Sequence, residues 1–180
     1  MHDESGEGGE LERLLRRDPL AWESFYTRVY PMMLSYSQRR LGYNEAARDA
    51  VSEALARTVD TVSRMNDLAT TPEAWSFGIL RNVVIDAQRS VYRERKYVRA
   101  PHDSAPDPSA KLDLEEEHVM VRDAFMKLKD DERELLELRV VAGLSSEDVA
   151  TVLSMSPGAV RTAQARALSK LRKLLPGADI

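Results

Sequence analysis

Apolar residues along this chain recur with a spacing of three to four and almost never alternate, which is the signature of helices rather than strands. The β-branched pairs Val83–Val84 and Val140–Val141 sit inside such longer patterns, so the sequence predicts an all-α fold. Asp18 before Pro19 reads as a helix N-cap with proline at the first helical position. Leu20, Trp22, Phe25, Tyr26 and Val29 follow on that helix. Pro31 is expected to restart it, through Met33, Leu34 and Leu41 to a stop near Gly42. Asn44 caps the next helix, to about Arg64, with Ala47, Val51, Leu55, Thr58, Val59 and Val62 inward. The polar stretch "MNDLATT" ends it. Thr70 or Thr71, ahead of Pro72, opens a long helix to about Tyr97 whose buried stripe is Trp75, Ile79, Leu80, Val83 and Ala87. Its other faces carry Arg81, Gln88, Arg89, Tyr92, Arg93 and Lys96.

Periodicity then stops. "VRAPHDSAPDPSA" is rich in Pro, Ser and Asp and reads as an extended linker. The chain is therefore expected to divide into an acidic disordered tail over 1–13, a helical domain over 14–98, a flexible acidic, Pro-rich linker over 99–111 and a second helical domain over 112–176. Helical patterns in the second domain run over Leu112–Leu128, Asp131–Val141, Ser146–Leu153 and Pro157–Leu175.

Two of these helices form a unit. Ser145 with Asp148 three residues later is a capping-box pattern, and Val149, Val152 and Leu153 make the apolar face behind it. Ser154-Met155-Ser156 is a tight turn, Ser156 caps again, and Pro157 takes the first helical position. Val160, Ala163, Ala167, Leu171 and Leu174 point inward from the last helix, and Arg161, Thr162, Ala165, Arg166 and Ser169 outward. A short helix, a tight turn and a second helix with a polar outer face make a helix-turn-helix. Arg and Thr on such a face can meet base edges and phosphates, and a small Ala165 permits close approach. The alternative for the last helix alone is an amphipathic helix with a solvated basic face.

Charge looks wrong for this assignment until it is mapped. The net charge is −4, but the acids are blocked: Asp3, Glu4, Glu7, Glu10 and Glu12 at the start, and Asp103, Asp107, Asp113, Glu115, Glu116 and Glu117 around the linker. Positions 157–175 hold Arg161, Arg166, Lys170, Arg172 and Lys173 and no acid. Arg81, Arg89, Arg93, Arg95, Lys96 and Arg99 crowd another span, against only Asp86 and Glu94. Nucleic acid responds to charge within a Debye length of about 8–10 Å, so two basic patches survive the acidic total. On the long helix, Tyr92 and Tyr97 can stack on unpaired bases while Arg89, Arg93 and Lys96 hold phosphates.

Catalytic chemistry has little support. The chain has no cysteine, and His2, His102 and His118 are scattered over tail, linker and helix start. Glu115, Glu116 and Glu117 point to different helix faces. No Gly-rich phosphate loop occurs. Neither enzyme activity, metal, cofactor nor small-molecule substrate is expected. The N-terminus "MHDESGEGGE" lacks the features of a signal peptide, and no apolar run approaches the ~20 residues of a membrane helix, so a cytoplasmic protein without membrane insertion is expected.

In order and spacing these segments resemble the sigma-70 family of bacterial sigma factors, in its short, two-domain extracytoplasmic-function (ECF) group, from about Pro19 to Leu175. "DPLAWESFYTRVYPMMLSYSQRRLG" is similar to the family's opening helices and "DAVSEALART" to its polymerase-binding helix. "AWSFGILRNVVIDAQRS" resembles its promoter-melting helix, with Trp75, Asn82, Asp86 and Arg89 on motif positions. "LKDDERELLELRVVAGLSSEDVATVLSMSPGAVRTAQARALSKLRKLL" resembles its C-terminal domain. The resemblance implies a region 2-like first domain and a region 4-like second one. It implies core RNA polymerase bound through Asp49, Ser52, Glu53, Leu55 and Arg57. The −10 element would be recognised and melted by Asn66 and its loop with Arg81, Asn82, Gln88, Arg89, Tyr92, Arg93 and Lys96. The −35 element would be read by Ser156, Arg161, Thr162, Gln164, Ala165, Arg166 and Lys170. Promoter DNA, core polymerase and an anti-sigma factor are the implied partners. Ser52 departs from a frequent Gln, and Ala159 and Ala163 replace a frequent Thr and a longer polar residue, so no promoter sequence is carried over. A helix-turn-helix regulator acting on duplex DNA without polymerase is the competing reading; it would bind a palindromic site by itself.

Overall fold

Phe25, Val29, Met33 and Tyr36 recur every three or four residues and are all buried, so one helix face runs unbroken through the N-terminal half. The computed structural model describes residues 5–65, 70–97 and 116–175, without the side chains of 5–8, 92, 94–97 and 116–118. It contains helices α1 (Ser5–Leu15), α2 (Pro19–Leu41), α3 (Glu45–Thr61), α4 (Pro72–Tyr97), α5 (Glu116–Met126), α6 (Asp130–Leu136), α7 (Ser146–Leu153) and α8 (Pro157–Leu174). A 3-10 turn, Val62–Arg64, extends α3, and a π turn, Glu137–Val141, extends α6. No strand occurs among the described residues. The expected linker over 99–111 lies outside them.

Two expectations are corrected. The acidic tail is not disordered from Ser5 onward: α1 forms there, because Leu11 and Leu14, three apart, both enter the core. The Trp22 indole donates to the Leu14 carbonyl at 3.1 Å and ties α1 to α2. Nor does Pro31 divide α2, which continues through it. Proline costs a helix one hydrogen bond, to the residue four back. Pro31 and Thr27 both face solvent, so water can satisfy the freed carbonyl, while Val29 and Met33, fully buried on either side, hold both halves to one core.

The caps fall as the sequence signals. Asp18 accepts from Leu20 N at 2.9 Å, Asn44 from Ala47 N at 3.2 Å and Thr71 Oγ1 from Ala74 N at 3.1 Å. Ser145 Oγ accepts from Asp148 N at 2.9 Å while Asp148 returns an acceptor to Ser145 N at 3.2 Å. Ser154 at φ 54° is left-handed and turns the chain from α7 into α8, where Ser156 accepts from Ala159 N at 3.2 Å.

The core is a single cluster running through both halves. α3 and α4 share the largest contact, α2 lies across both, α7 lies against α4, and the π turn lies against α2. The buried face of α4 is accordingly wider than a single stripe. Ala74, Phe77, Leu80, Val83 and Val84 are buried, whereas Trp75 and Ile79 are only partly covered. Truncating Phe77 to Ala should destabilise the protein by about 3–5 kcal/mol, and removing the cap with Ser156→Ala by about 1 kcal/mol, both read from urea unfolding followed by helical circular dichroism.

Candidate nucleic-acid interface

α8 is presented by its caps and by two buried anchors, Val160 and Ala167. Opposite them, Arg161, Thr162, Ala165, Arg166, Ser169, Lys170 and Lys173 line a single shallow, open groove. This is the face the sequence assigns to DNA. Its bases are not equally available. Arg161 Nη1 lies 3.2 Å from Glu147 Oε1 of α7, with both side chains exposed. Lys170 Nζ lies 2.7 Å from Glu132 Oε2, and that hydrogen bond holds the Glu132 carboxyl below its ordinary value. The Arg161–Glu147 pair faces solvent, and such pairs are worth only about 0–1 kcal/mol, so a phosphate can replace its acid; the Lys170–Glu132 pair is part-buried. Thr162 spends its hydroxyl proton on the Gly158 carbonyl at 3.0 Å. Ser156 is occupied as the cap.

Gln164 is half-buried rather than outermost. Its amide oxygen accepts from Arg139 Nε at 2.9 Å, and the same guanidinium donates to the Leu144 carbonyl. Arg139 therefore fixes the amide oxygen of Gln164 from behind, and the amide NH2 remains as a donor. Arg139 belongs to the π turn, an element common at functional positions because its extra residue redirects side chains.

On α4, Asn82, Gln88, Arg89 and Arg93 are exposed. Arg89 lies 3.6 Å from Asp86 in an open pair. Gln88 Nε2 donates to the Arg40 carbonyl at 3.1 Å. Arg81 is not open: its Nε and Nη2 clasp Glu134 of α6 at 2.9 and 3.3 Å. The side chains of Tyr92 and Lys96, and all of Asn66, lie outside the described residues. Of the polymerase-facing set on α3, Asp49, Ser52, Glu53 and Arg57 are exposed, with Arg57 and Glu53 paired at 2.5 Å. Leu55 differs from them in being buried, since its position continues the Val51–Thr58 inward face, and it supports that surface from within.

Four residues that the sequence analysis did not single out converge between the halves. Arg40 Nε reaches Glu137 Oε2 of the π turn at 2.9 Å, with both side chains largely buried. Tyr36 donates its hydroxyl to Glu134 Oε1 at 2.9 Å, so Glu134 is held by Tyr36 and Arg81 together. The Arg40 guanidinium lies 5.6 Å from the Tyr36 ring centroid. One cap also takes part: Thr71 donates to Asp148 Oδ1 at 2.7 Å. The available signal was Glu137 itself, set among Leu135, Leu136 and Leu138; a carboxylate inside an apolar run calls for a partner.

Burial pushes the Glu137 carboxyl above its ordinary value of 4.5, against the pull of Arg40. A raised value means that the folded state holds the proton more tightly than the unfolded chain does. The stability this contributes is complete below the ordinary value and is lost as pH rises through the raised one. Urea unfolding across pH should show wild type losing stability relative to Glu137→Gln as pH climbs from 4.5; parallel profiles would contradict the sign.

Residues 25–94 match the family described as Sigma-70 region 2, and residues 118–171 match Sigma-70, region 4. The chain is 34% identical over 179 residues to the ECF RNA polymerase sigma factor ShbA of Streptomyces griseus subsp. griseus, covering 93% of this chain and 94% of that protein. This chain belongs to the ECF sigma factors of the sigma-70 family. As such it is a DNA-binding transcription factor that directs initiation. SigD of Mycobacterium bovis, also an ECF RNA polymerase sigma factor, is 32% identical over 155 residues, 80% of this chain and 72% of that one. Two solved structures share the fold. One is the sigma factor RpoE in complex with the anti-sigma factor NepR from Bartonella quintana, with TM-score 0.64 and 24% identity over 84% of this chain and 94% of that one. The other is CnrH in complex with the cytosolic domain of CnrY, with TM-score 0.62 and 22% identity over 93% of this chain and 96% of that one. Among the described residues no helix is long and apolar enough to cross a membrane.

Proposed function

We propose that this ECF sigma factor docks on core RNA polymerase through the exposed α3 residues Asp49, Ser52, Glu53 and Arg57. It opens the −10 element with α4 and reads the −35 element with α8. The observation that carries this reading is the pairing of two exposed basic helical faces on one chain: Arg89 and Arg93 beside Asn82 on α4 and Arg161, Arg166 and Lys173 on the α8 groove. Melting requires no covalent chemistry from the protein. Unstacked bases are held by contacts of about 1–3 kcal/mol each, so the chain acts as a polymerase subunit rather than as a catalyst. Its halves, 14–98 and 112–176, serve as two readers joined through 99–111. Polymerase fixes their separation, and effective concentration then supplies affinity that neither half has alone.

The setting is the cytoplasm, where polymerase and promoter DNA are. RpoE of Bartonella quintana, which shares the fold, forms a complex with the anti-sigma factor NepR, and this chain is proposed to have such a partner as well.

Run-off transcription with core polymerase on a library of promoter fragments tests the reading. Discrete, factor-dependent starts are expected; failure to bind core would overturn it. Arg166, which has no acidic partner among the described residues, faces the groove directly. Arg166→Ala should weaken −35-dependent promoter binding by about 1–3 kcal/mol if it reads a base. If it holds a phosphate, the variant should instead lower the salt dependence by about one unit without changing sequence preference.

A further inference from the structure

α1 carries none of the side chains assigned to DNA or polymerase, yet it is fastened at several points. Leu11 and Leu14 enter the core cluster that also holds Val62 and Met65, and α1 lies against both α2 and the 3-10 turn Val62–Arg64. Its return into α2 is tightly made. Asp18 accepts from Arg13 Nε at 2.8 Å while capping α2, and that bond holds the Asp18 carboxyl below its ordinary value. Arg28 of α2 adds a further attachment. Its Nη2 donates to both carboxylate oxygens of Glu10 at 3.0 Å. The same guanidinium donates to Glu73 Oε1, at 3.1 Å from Nε and 2.5 Å from Nη2. Both acids are mostly covered, with side chains 27% and 22% exposed. The guanidinium also lies 5.7 Å from the Phe25 ring centroid, which limits its orientations.

These attachments converge on two places that border the −10-reading residues. The 3-10 turn ends at Met65, which leads directly into Asn66, assigned above to the −10 element. Glu73 stands in the first turn of α4, two residues past the Thr71 cap. α1 reaches the first place by apolar packing and the second through Arg28. We propose that α1 is a positioning helix for −10 recognition: Leu11, Leu14 and the Glu10–Arg28–Glu73 bridge fix the 3-10 turn against the start of α4, and so fix how the −10-reading residues are presented. This deepens the promoter-reading function above and rests on it. α1 contains Gly6, Gly8 and Gly9, and glycine is among the poorest helix formers. Its place therefore depends on these tertiary contacts and not on its own propensity. One planar guanidinium with fixed donor directions serves both acids, so a shift of α1 passes to α4.

The test uses the full chain with core polymerase in run-off transcription, on two promoter libraries. One varies each −10 position over a fixed −35 element, and the other does the reverse. Glu10→Lys sets a cation against Arg28 and leaves Leu11 and Leu14 in place. Its preference for the favoured −10 bases should fall by about two- to thirtyfold, while its −35 preference stays at wild type. A purely structural role would lower transcript yield with both preferences unchanged; that result overturns the proposal, as does equal loss of both. Gly9 is exposed, and a Cβ there meets nothing within 4 Å. Glu10→Lys/Gly9→Ala therefore strengthens the helix without a new contact and should regain up to about fivefold of the lost −10 preference. No recovery overturns α1 as the cause. Should Glu10→Lys lose its helical circular dichroism, Glu10→Gln on the same libraries decides by the same criteria. A wild type with no −10 preference sinks the promoter-reading function instead, and the inference with it; that outcome is distinguishable because its arm contains no variant.

Discussion

The carboxylate of Glu137 is the constraint on which the arrangement of the two halves depends. It is buried at 4% exposure on a turn that must bulge to place it. Had α6 continued as regular α-helix, the charge would sit within the apolar run Leu135–Leu138 without a partner. The π turn redirects it to Arg40, whose charge works against the burial of Glu137 without cancelling it, while the guanidinium gains from the Tyr36 ring and from the second acid at Glu134. A buried pair of this kind gives little net stability and much orientation.

Local sequence signals carry most of the fold. Asp18, Asn44, Thr71, Ser145 and Ser156 cap helices where their chemistry says they should, because a cap involves only residues two or three apart. The inward faces of α3 and α8 were legible for the same reason: each buries one stripe against its own half. α4 was less so. Its stripe reads as Trp75, Ile79, Leu80, Val83 and Ala87, yet Ala74, Phe77 and Val84 are the buried ones and Trp75 lies at the edge, since α3 covers one side and α7 covers another. Single-period reasoning cannot anticipate a second partner contributed from some 70 residues away. Pro31 misleads for a related reason: whether a proline breaks a helix depends on the buried residues flanking it, here Val29 and Met33, and not on the proline alone. α1 was hidden by the acids around Leu11 and Leu14.

The candidate site divides the same way. Arg161, Thr162, Ala165, Arg166 and Lys170 share one groove as the period of α8 requires. Leu55 lies on the inward stripe that its own spacing predicts. Arg81 stood out as an exposed base, but its partner, Glu134, is 53 residues away, and Arg139 behind Gln164 is 25 away. No local pattern reports such pairings. What the sequence does report is an anomaly, a Glu among leucines, and that anomaly locates the interface even though it does not name the partner.

Those pairings also account for an acidic protein that reads DNA. Beyond the blocks at the terminus and linker, Glu132, Glu134, Glu137 and Glu147 each sit on a base of a proposed DNA face or of its border: Lys170, Arg81, Arg40 and Arg161. The exposed Arg161–Glu147 pair is weak and yields to phosphate; the other three are part-buried and hold their bases more firmly. Loose binding to arbitrary duplex draws mainly on unpaired surface bases and counterion release, and the acids lower exactly that term. Binding to a promoter adds polymerase, which supplies effective concentration for both readers at once. Charge pairing within the chain therefore weakens nonspecific binding more than specific binding, and it does so without altering a single base-reading side chain.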